Sequence, residues 1–315
     1  MKRFFGAWLT QFAWLLCCIG PLAQAGSATE HRWGVDSVPR TAIVSAFEPE
    51  MRLLRAQVKH GRVVRLGGVE FVTGRLQGEP VLLFLSGISM TNAAMNTQRA
   101  LDHFRVRRLL FSGIAGGVDP ALSIGDVAVP GRWAPYLEGV LARETAPGEF
   151  TPPPWMNDLV GPGLGAFRPR SVEVRSSRQT EPERKAWFDA DPGLLAQARA
   201  VDSTPLTQCD ARQQCLPRPP RVVVGGNGVS GAAFVDNATW REYAFQTFQA
   251  QVLDMESAAT AQVAYSNGVP FLAFRSVSDL AGGGADANEM TTFMNLAAEN
   301  SARVLLAFLA LLHRP

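Results

Sequence analysis

The chain has 315 residues, 47% of them hydrophobic, with 30 Lys and Arg against 28 Asp and Glu and a formal net charge of +2. That length suits one large α/β domain or two small ones. A near-neutral chain without a basic cluster lacks the electrostatic footprint of a nucleic-acid-binding protein.

Met1-Lys2-Arg3 is a basic start, Phe4 to Gly20 is mostly apolar, and Ala23-Gln24-Ala25 ends the run in a small-x-small pattern. This predicts a secretory signal peptide over residues 1–25, cut after Ala25. A retained membrane anchor is the rival reading, but the run is interrupted by Gln11 and falls short of the ~20 apolar residues of a span. Cys17 and Cys18 lack the small residues that precede a lipoprotein cysteine. Cleavage leaves residues 26–315 with no formal charge, because the segment carries Lys2, Arg3 and no acid. The mature protein is then expected in the periplasm or outside the cell. No later stretch reads as long and apolar enough to span a membrane.

Thr41 to Ala46 reads as a strand, and Glu50-Met-Arg-Leu-Leu-Arg55 as the start of a helix. Glu48, Pro49 and Glu50 suit a helix N-terminus, where acids and proline are favoured; catalysis is the alternative role for these acids. Val63 to Gly74 is strand material with a Gly67-Gly68 turn. Pro80 to Leu85 is a strongly apolar strand that runs into Ser86-Gly-Ile-Ser89. A helix over Thr91 to Phe104 follows, then a strand over Arg107 to Phe111 that enters Ser112-Gly-Ile-Ala-Gly-Gly117. Two strand–glycine units in succession fit a wound sheet whose backbone approaches a ligand. Leu122 to Asp126 is a turn into a strand over Val127 to Val129.

Residues 133–220 are the least patterned. Thr151-Pro-Pro-Pro154 and Gly161-Pro-Gly163 are loops, and Pro192 to Val201 is a short helix. Cys209 and Cys215 share a polar, proline-flanked loop, and two cysteines so close in an exported chain predict a disulfide. A metal site is the alternative, yet His31, His60, His103 and His313 are scattered and none lies near, so no metal is expected. Arg221 to Val224 is a strand. Gly226-x-Gly228-x-x-Gly231 then matches the dinucleotide fingerprint by letter, but a lone match is weak. No helix opens directly after it and no acid completes a βαβ unit, so no cofactor is expected. Thr239 to Phe248 is a helix.

The stretch from Val252 to Asp279 reads as a helix opened by Asp254, Met255 and Glu256 and stopped by Asn267-Gly268 and Pro270. A buried strand over Phe271 to Phe274 follows, closed by Arg275, Ser276, Ser278 and Asp279. Ligands bind outside the carboxyl ends of strands in open α/β sheets, which places Arg275 and Asp279 at a site. Glu289 to Leu312 is a final amphipathic helix.

Ser86-Gly-Ile-Ser89, Gly113-Ile-Ala-Gly-Gly117 with Ile124-Gly-Asp126, Val229-Ser-Gly-Ala-Ala-Phe234, Asp254-Met-Glu256 and Arg275-Ser-Val-Ser-Asp279 occur in one order. In that order the chain resembles the nucleoside phosphorylase/nucleosidase superfamily, most nearly in the wording of its 5'-methylthioadenosine/S-adenosylhomocysteine nucleosidases. The match covers residues 41–130 and 221–312; residues 131–220 diverge. The resemblance implies an α/β fold, a three-layer α/β/α sandwich around a central mixed sheet, in a single domain over 26–315. It also implies hydrolysis of the N-glycosidic bond of a purine nucleoside. Asp279 is then implied to protonate the leaving purine and Glu50 to activate water. Glu256 is implied to hold the ribose hydroxyls with Met255 packed on the sugar, Arg275 to hold the water or the sugar, and Phe234 to stack on the purine. Ser278, Gly87 and Gly116 complete the implied binding set, and a homodimer is implied too.

Each residue also has a plain structural alternative: a strand-end cap for Asp279, a helix-dipole acid for Glu256, a core aromatic for Phe234. One departure stands out, since Ile114 occupies a position where nucleosidases usually have serine. The Gly-Ile-Ala-Gly wording and Leu280-Ala-Gly-Gly283 also resemble plant bark and vegetative storage proteins, so a non-catalytic binding protein is one alternative. A phosphorylase is the other; it needs cationic donors for phosphate, whereas Phe47-Glu-Pro-Glu50 is acidic and Gly87 to Asn92 has no arginine.

Overall fold

The apolar run at residues 41–45 becomes the middle of the sheet. In a computed structural model, which describes residues 34–285 and 287–313, it is the C-terminal half of β1 (Asp36–Ser45). The expected signal segment, residues 1–25, lies outside the described residues. The chain continues through α1 (Glu48–Ala56) to β2 (Lys59–Leu66), β3 (Val69–Leu76) and β4 (Glu79–Leu85), then through α2 (Met90–His103) to β5 (Phe104–Gly117). β1 lies between β4 and β5 and is parallel to both. Along it, Ala42 and Val44 face one core and Ile43 the other, the period-two alternation of a strand covered on both faces.

β6 (Val127–Val129) and β7 (Arg132–Pro135) precede the divergent segment. There β8 (Gly139–Leu141), β9 (Arg143–Ala146), β10 (Glu149–Thr151), β11 (Phe167–Pro169), β12 (Val172–Ser176) and β13 (Gln179–Lys185) pair only among themselves. β14 (Phe188–Asp189) and α3 (Pro192–Ala198) return the chain to the body. β15 (Val222–Val224), β16 (Asn227–Ser230), α4 (Ala238–Phe248), β17 (Ala250–Asp254), α5 (Ser257–Ser266), β18 (Phe271–Asp279) and α6 (Met290–Leu312) complete it. The main sheet runs β14-β7-β16-β17-β5-β1-β4-β3-β2, and β18 adds to β5 in parallel and to β6 antiparallel. α2 and α5 cover one face and α1 and α6 the other. This is the expected three-layer sandwich around a mixed sheet.

Two local expectations need correcting. Val252, Leu253 and Asp254 are not helical: they end β17, paired with β16 and with Gly116 and Gly117 of β5. Their burial on both faces prevails over the helical pattern that Ala258, Ala259 and Ala261 lend to the stretch, and α5 starts only at Ser257. The strand after Pro270 runs past its apolar stretch and is closed by Arg275 to Asp279, as expected. β18 continues through Arg275 to Asp279 with every residue buried. Finally, α6 is 23 residues long and, by length and composition alone, apolar enough to cross a membrane. Its Ala302, Leu305 and Phe308 are buried in the core, with Phe308 packed 5.3 Å from the Phe274 ring.

The positive-φ Gly268 (+67°) ends α5 as expected. Cys209 and Cys215 are disulfide-bonded. Their loop is tied to the body by Arg218, which pairs with the fully buried Asp126 at 2.5 Å, and by Asn300, which accepts from Thr207 N at 2.7 Å.

Candidate active site

The C-terminal ends of β1, β5, β17 and β18 meet at one cavity of about 160 Å³. β5 and β18 contribute through their last residues, and β1 and β17 also through the turns that follow them. β1 is followed by Pro-bearing α1, whose first turn directs Glu50 back over the strand end. Glu50 Oε2 accepts from Ala46 N at 2.6 Å, and Oε1 accepts from Ile114 N at 2.8 Å. Burial pushes the Glu50 carboxyl above the ordinary glutamate range; the Arg275 cation and the N–H groups of Ile114, Ala46 and Phe47 pull the other way.

Glycine at 113 is required here. A Cβ on Gly113 would collide with Glu50 Oε1 and with Arg275 Nη1. Gly113→Ala is therefore expected to displace both groups and to lower kcat/KM by about 10²-fold. Steady-state kinetics with thermal melting checks this, and a rate within threefold of wild type would contradict the close approach.

Arg275 is fully buried in the middle of β18, with its guanidinium 4.1 Å from the Phe111 ring centroid. A buried cation must be paired. Three carboxylates do so: Asp254 at 2.7 Å, Glu256 at 3.4 Å and Glu50 at 3.7 Å. Glu256 Oε1 also accepts from Ser89 N at 2.8 Å. Gly87 and Ser89 hold φ of +76° and +85°, and the non-glycine value at Ser89 is a strained conformation. Together they form the turn that aims Ser89 N–H at Glu256. Burial, with Asp254 and Glu50 adding repulsion, pushes the Glu256 carboxyl up to about 7 against the pull of Arg275 and Ser89 N–H.

Asp279 closes β18 at the far side of the cavity. Its Oδ2 accepts from Ser278 Oγ at 2.8 Å, and its Oδ1 accepts from Ala281 N at 2.9 Å and from Asn288 Nδ2 at 3.4 Å. Gly116 passes so close that a Cβ there would stand 3.3 Å from Asp279 Oδ1.

Glu50, Asp279, Glu256, Met255, Phe234, Ser278 and Gly116 all line the cavity. Phe234 is 56% exposed at its rim, which excludes the core-aromatic alternative. Arg275 stands behind the lining. Gly87 lines a separate, larger hollow of about 560 Å³, which adjoins the first over Ala46, Phe47 and Ile88 but holds none of the three carboxylates that pair with Arg275. Ile114 packs with Met290, Met294 and Phe47 and makes the wall beside Glu50 apolar. No Gly226–Gly231 phosphate cradle forms before a helix, since Asn227 to Ser230 is strand β16. Reading the sequence missed Asp254 as the partner of Arg275, along with Asn288 and Met290. Asp254 had a legible signal, an acid at the end of an apolar strand two residues before another acid. Asn288 and Met290 follow a glycine-rich loop and had none.

Four carboxylates, Glu50, Asp254, Glu256 and Asp279, line the cavity, and no Lys, Arg or His does among the described residues. An acid at each end of a largely apolar cleft can take a proton from one reacting group and give one to another.

Residues 40–310 match the family described as the Phosphorylase superfamily. The chain is similar to the 5'-methylthioadenosine/S-adenosylhomocysteine nucleosidase of Geobacillus kaustophilus, with 30% identity over 275 residues, 87% of this chain and 97% of the relative. Among solved structures it is similar to the nucleosidase of that name from Neisseria meningitidis in complex with methylthio-immucillin-A. That likeness has 26% identity and a TM-score of 0.64, and covers 87% of this chain and 99% of the other. The Colwellia psychrerythraea nucleosidase in complex with adenine has 25% identity and a TM-score of 0.65 over 88% and 97% of the two chains. With its sandwich fold, its strand-end carboxylates and this match over most of its length, the chain belongs to the phosphorylase superfamily.

Proposed function

We propose that the protein hydrolyses the N-glycosidic bond of a purine nucleoside, releasing free base and a ribose derivative. The protein is an N-glycosidic bond hydrolase, and water is its nucleophile. The observation that carries this reading is the lining of the cavity by four carboxylates and no cation. An entering phosphate would meet carboxyl groups and no cation on the lining to offset its charge, whereas water carries no charge to offset. Phosphorolysis is therefore disfavoured at this site.

In this reading Glu50 takes a proton from water as its oxygen bonds to the ribose C1'. The bond from C1' to the purine nitrogen breaks, and its electron pair leaves with the base. Asp279 supplies the proton that neutralises the departing purine, a contribution of about 10²–10⁴-fold for each such group. Glu256 accepts from the ribose hydroxyls, Met255 packs on the sugar and Phe234 covers the base from the rim. The apolar wall of Ile114, Met290 and Phe47 suits a thioether at the 5' position. That, with the substrates in the names of the relatives, favours 5'-methylthioadenosine or S-adenosylhomocysteine. The composition of residues 1–25 supports export, so the acting form is taken to be residues 26–315.

The test is product analysis on residues 26–315 with 5'-methylthioadenosine, S-adenosylhomocysteine, adenosine and inosine, each with and without phosphate. Free base and free sugar without phosphate are expected. Sugar phosphate formed only when phosphate is present would make the protein a phosphorylase. Tight purine binding without release of base would make it a binding protein.

A further inference from the structure

Arg275 has five N–H groups to distribute, and their allocation is specific. Nε donates to Ser257 Oγ at 2.9 Å and stands 2.7 Å from Asp254 Oδ2. Nη1 donates to the Ile114 carbonyl at 3.1 Å and lies 3.7 Å from Glu50, while Nη2 donates to Glu256 Oε2 at 3.4 Å. The shortest of the three carboxylate contacts is thus to Asp254, the acid to which no role in the reaction falls. The other oxygen of Asp254 is engaged as well. Oδ1 accepts from Ser230 Oγ at 2.5 Å and from the backbone N–H groups of Glu256 and Ser257 at 3.1 Å each. One carboxylate therefore joins β16, the turn that bears Met255 and Glu256, and β18.

We propose that Asp254 is a positioning residue of the hydrolytic site: it holds Arg275 by Nε and the Met255–Glu256 turn by Oδ1, leaving the terminal nitrogens of Arg275 for Glu256 and Glu50. Its effect on rate rests on the nucleosidase reading; its effect on the cluster does not. A carboxylate is required because Oδ1 accepts three hydrogen bonds while Oδ2, which accepts none, sets negative charge 2.7 Å from Arg275 Nε. An amide at 254 would keep one acceptor, and three donors already converge on the Oδ1 side. Its uncharged NH₂ would then face Nε in place of the carboxylate oxygen, which removes the ion pair and releases the guanidinium toward the two remaining acids. Glu256 is faced by Arg275 from β18, by Asp254 from β17, by Glu50 from α1 and by Ser89 N–H from the turn before α2. Removing the Asp254 charge takes away one of the two anions that oppose its ionisation.

The experiment follows the Glu256 carboxyl by ¹³C NMR of glutamate-labelled protein across pH, beside kcat/KM, in wild type, Asp254→Asn and Asp254→Glu. In Asp254→Asn the Glu256 midpoint is expected to fall by at least about half a pH unit and kcat/KM by about tenfold or more. In Asp254→Glu the charge is restored one methylene away. The midpoint should then stay within about 0.3 of wild type while kcat/KM still falls about tenfold. A folded variant of either kind with kcat/KM within twofold of wild type overturns the proposal, as does an unmoved Glu256 midpoint in folded Asp254→Asn. Loss of fold in both variants by circular dichroism gives Asp254 a purely structural task and overturns it too. If wild type releases no base from any nucleoside, the hydrolase reading fails, and the Glu256 midpoint in Asp254→Asn decides the present proposal alone.

Discussion

Asp279→Asn is expected to lower kcat by about 10²–10⁴-fold while leaving nucleoside binding within a few fold. The reason is that the side chain can be replaced without disturbing what holds it. The amide oxygen still accepts from Ala281 N, where Asp279 Oδ1 now accepts at 2.9 Å. Ser278 Oγ now donates to Oδ2 at 2.8 Å, and a hydroxyl can turn to accept from an amide NH₂ instead. Shape and polarity survive, and only the transferable proton is lost. The base then has to depart with its negative charge unrelieved. Single-turnover release of base, with binding followed by calorimetry, separates the two effects. An equal loss of binding and turnover, or no loss of either, would return Asp279 to the task of capping a strand.

How much of this was legible depends on what the sequence had to satisfy locally. β1, β4 and the core of β18 are buried on both faces by their own neighbours, so their apolar runs show where they lie. The Gly67-Gly68 turn and the Gly268 stop need left-handed backbone, and glycine marks both. Glu50, Glu256 and Asp279 were legible only because their motifs come in a recognised order, since each acid alone reads equally well as a cap or a dipole partner. The segment from β8 to β13 was not legible. Its hairpins are short and stand apart from the main sheet, so no sustained period marks them. The Asp254–Arg275 pair was obscured differently. It depends on β17 and β18 both ending against Gly116 of β5, a tertiary fact, whereas the surrounding alanines suggested a helix that begins three residues too early.

The site also explains why Ile114 is compatible with hydrolysis. Its backbone, not its side chain, serves Glu50 and Arg275: its N–H donates to Glu50 Oε1 at 2.8 Å and its carbonyl accepts from Arg275 Nη1 at 3.1 Å. The side chain is free to be apolar, and it dries the wall beside the carboxylate. Burial then raises Glu50, which makes it a better proton acceptor once ionised and shortens the pH range over which it is ionised.

Glu50→Gln is expected to abolish measurable hydrolysis, a loss of about 10²–10⁴-fold or more, in a protein that still folds. Both oxygens of Glu50 accept backbone N–H groups, from Ala46 at 2.6 Å and from Ile114 at 2.8 Å. Glutamine can accept only one of these and sets its NH₂ against the other, at a cost of about 1–3 kcal/mol for the unsatisfied donor. The melting temperature should therefore drop, but the two main cores on either side of the sheet do not include Glu50 and should persist. The pH dependence carries the sign of the assignment. A carboxylate must be ionised to take the proton of water, so wild-type kcat/KM should rise with pH along its acid limb. Because Glu50 is raised and Glu256 lies at about 7, that limb should fall nearer neutrality than an ordinary glutamate would place it, as a property of the coupled pair. In Glu50→Gln any residual rate should lose the part of that limb due to Glu50, while purine binding is expected to persist. Full activity in a folded Glu50→Gln protein, or a wild-type acid limb in the ordinary glutamate range, would leave Glu50 no more than an acid at a helix N-terminus.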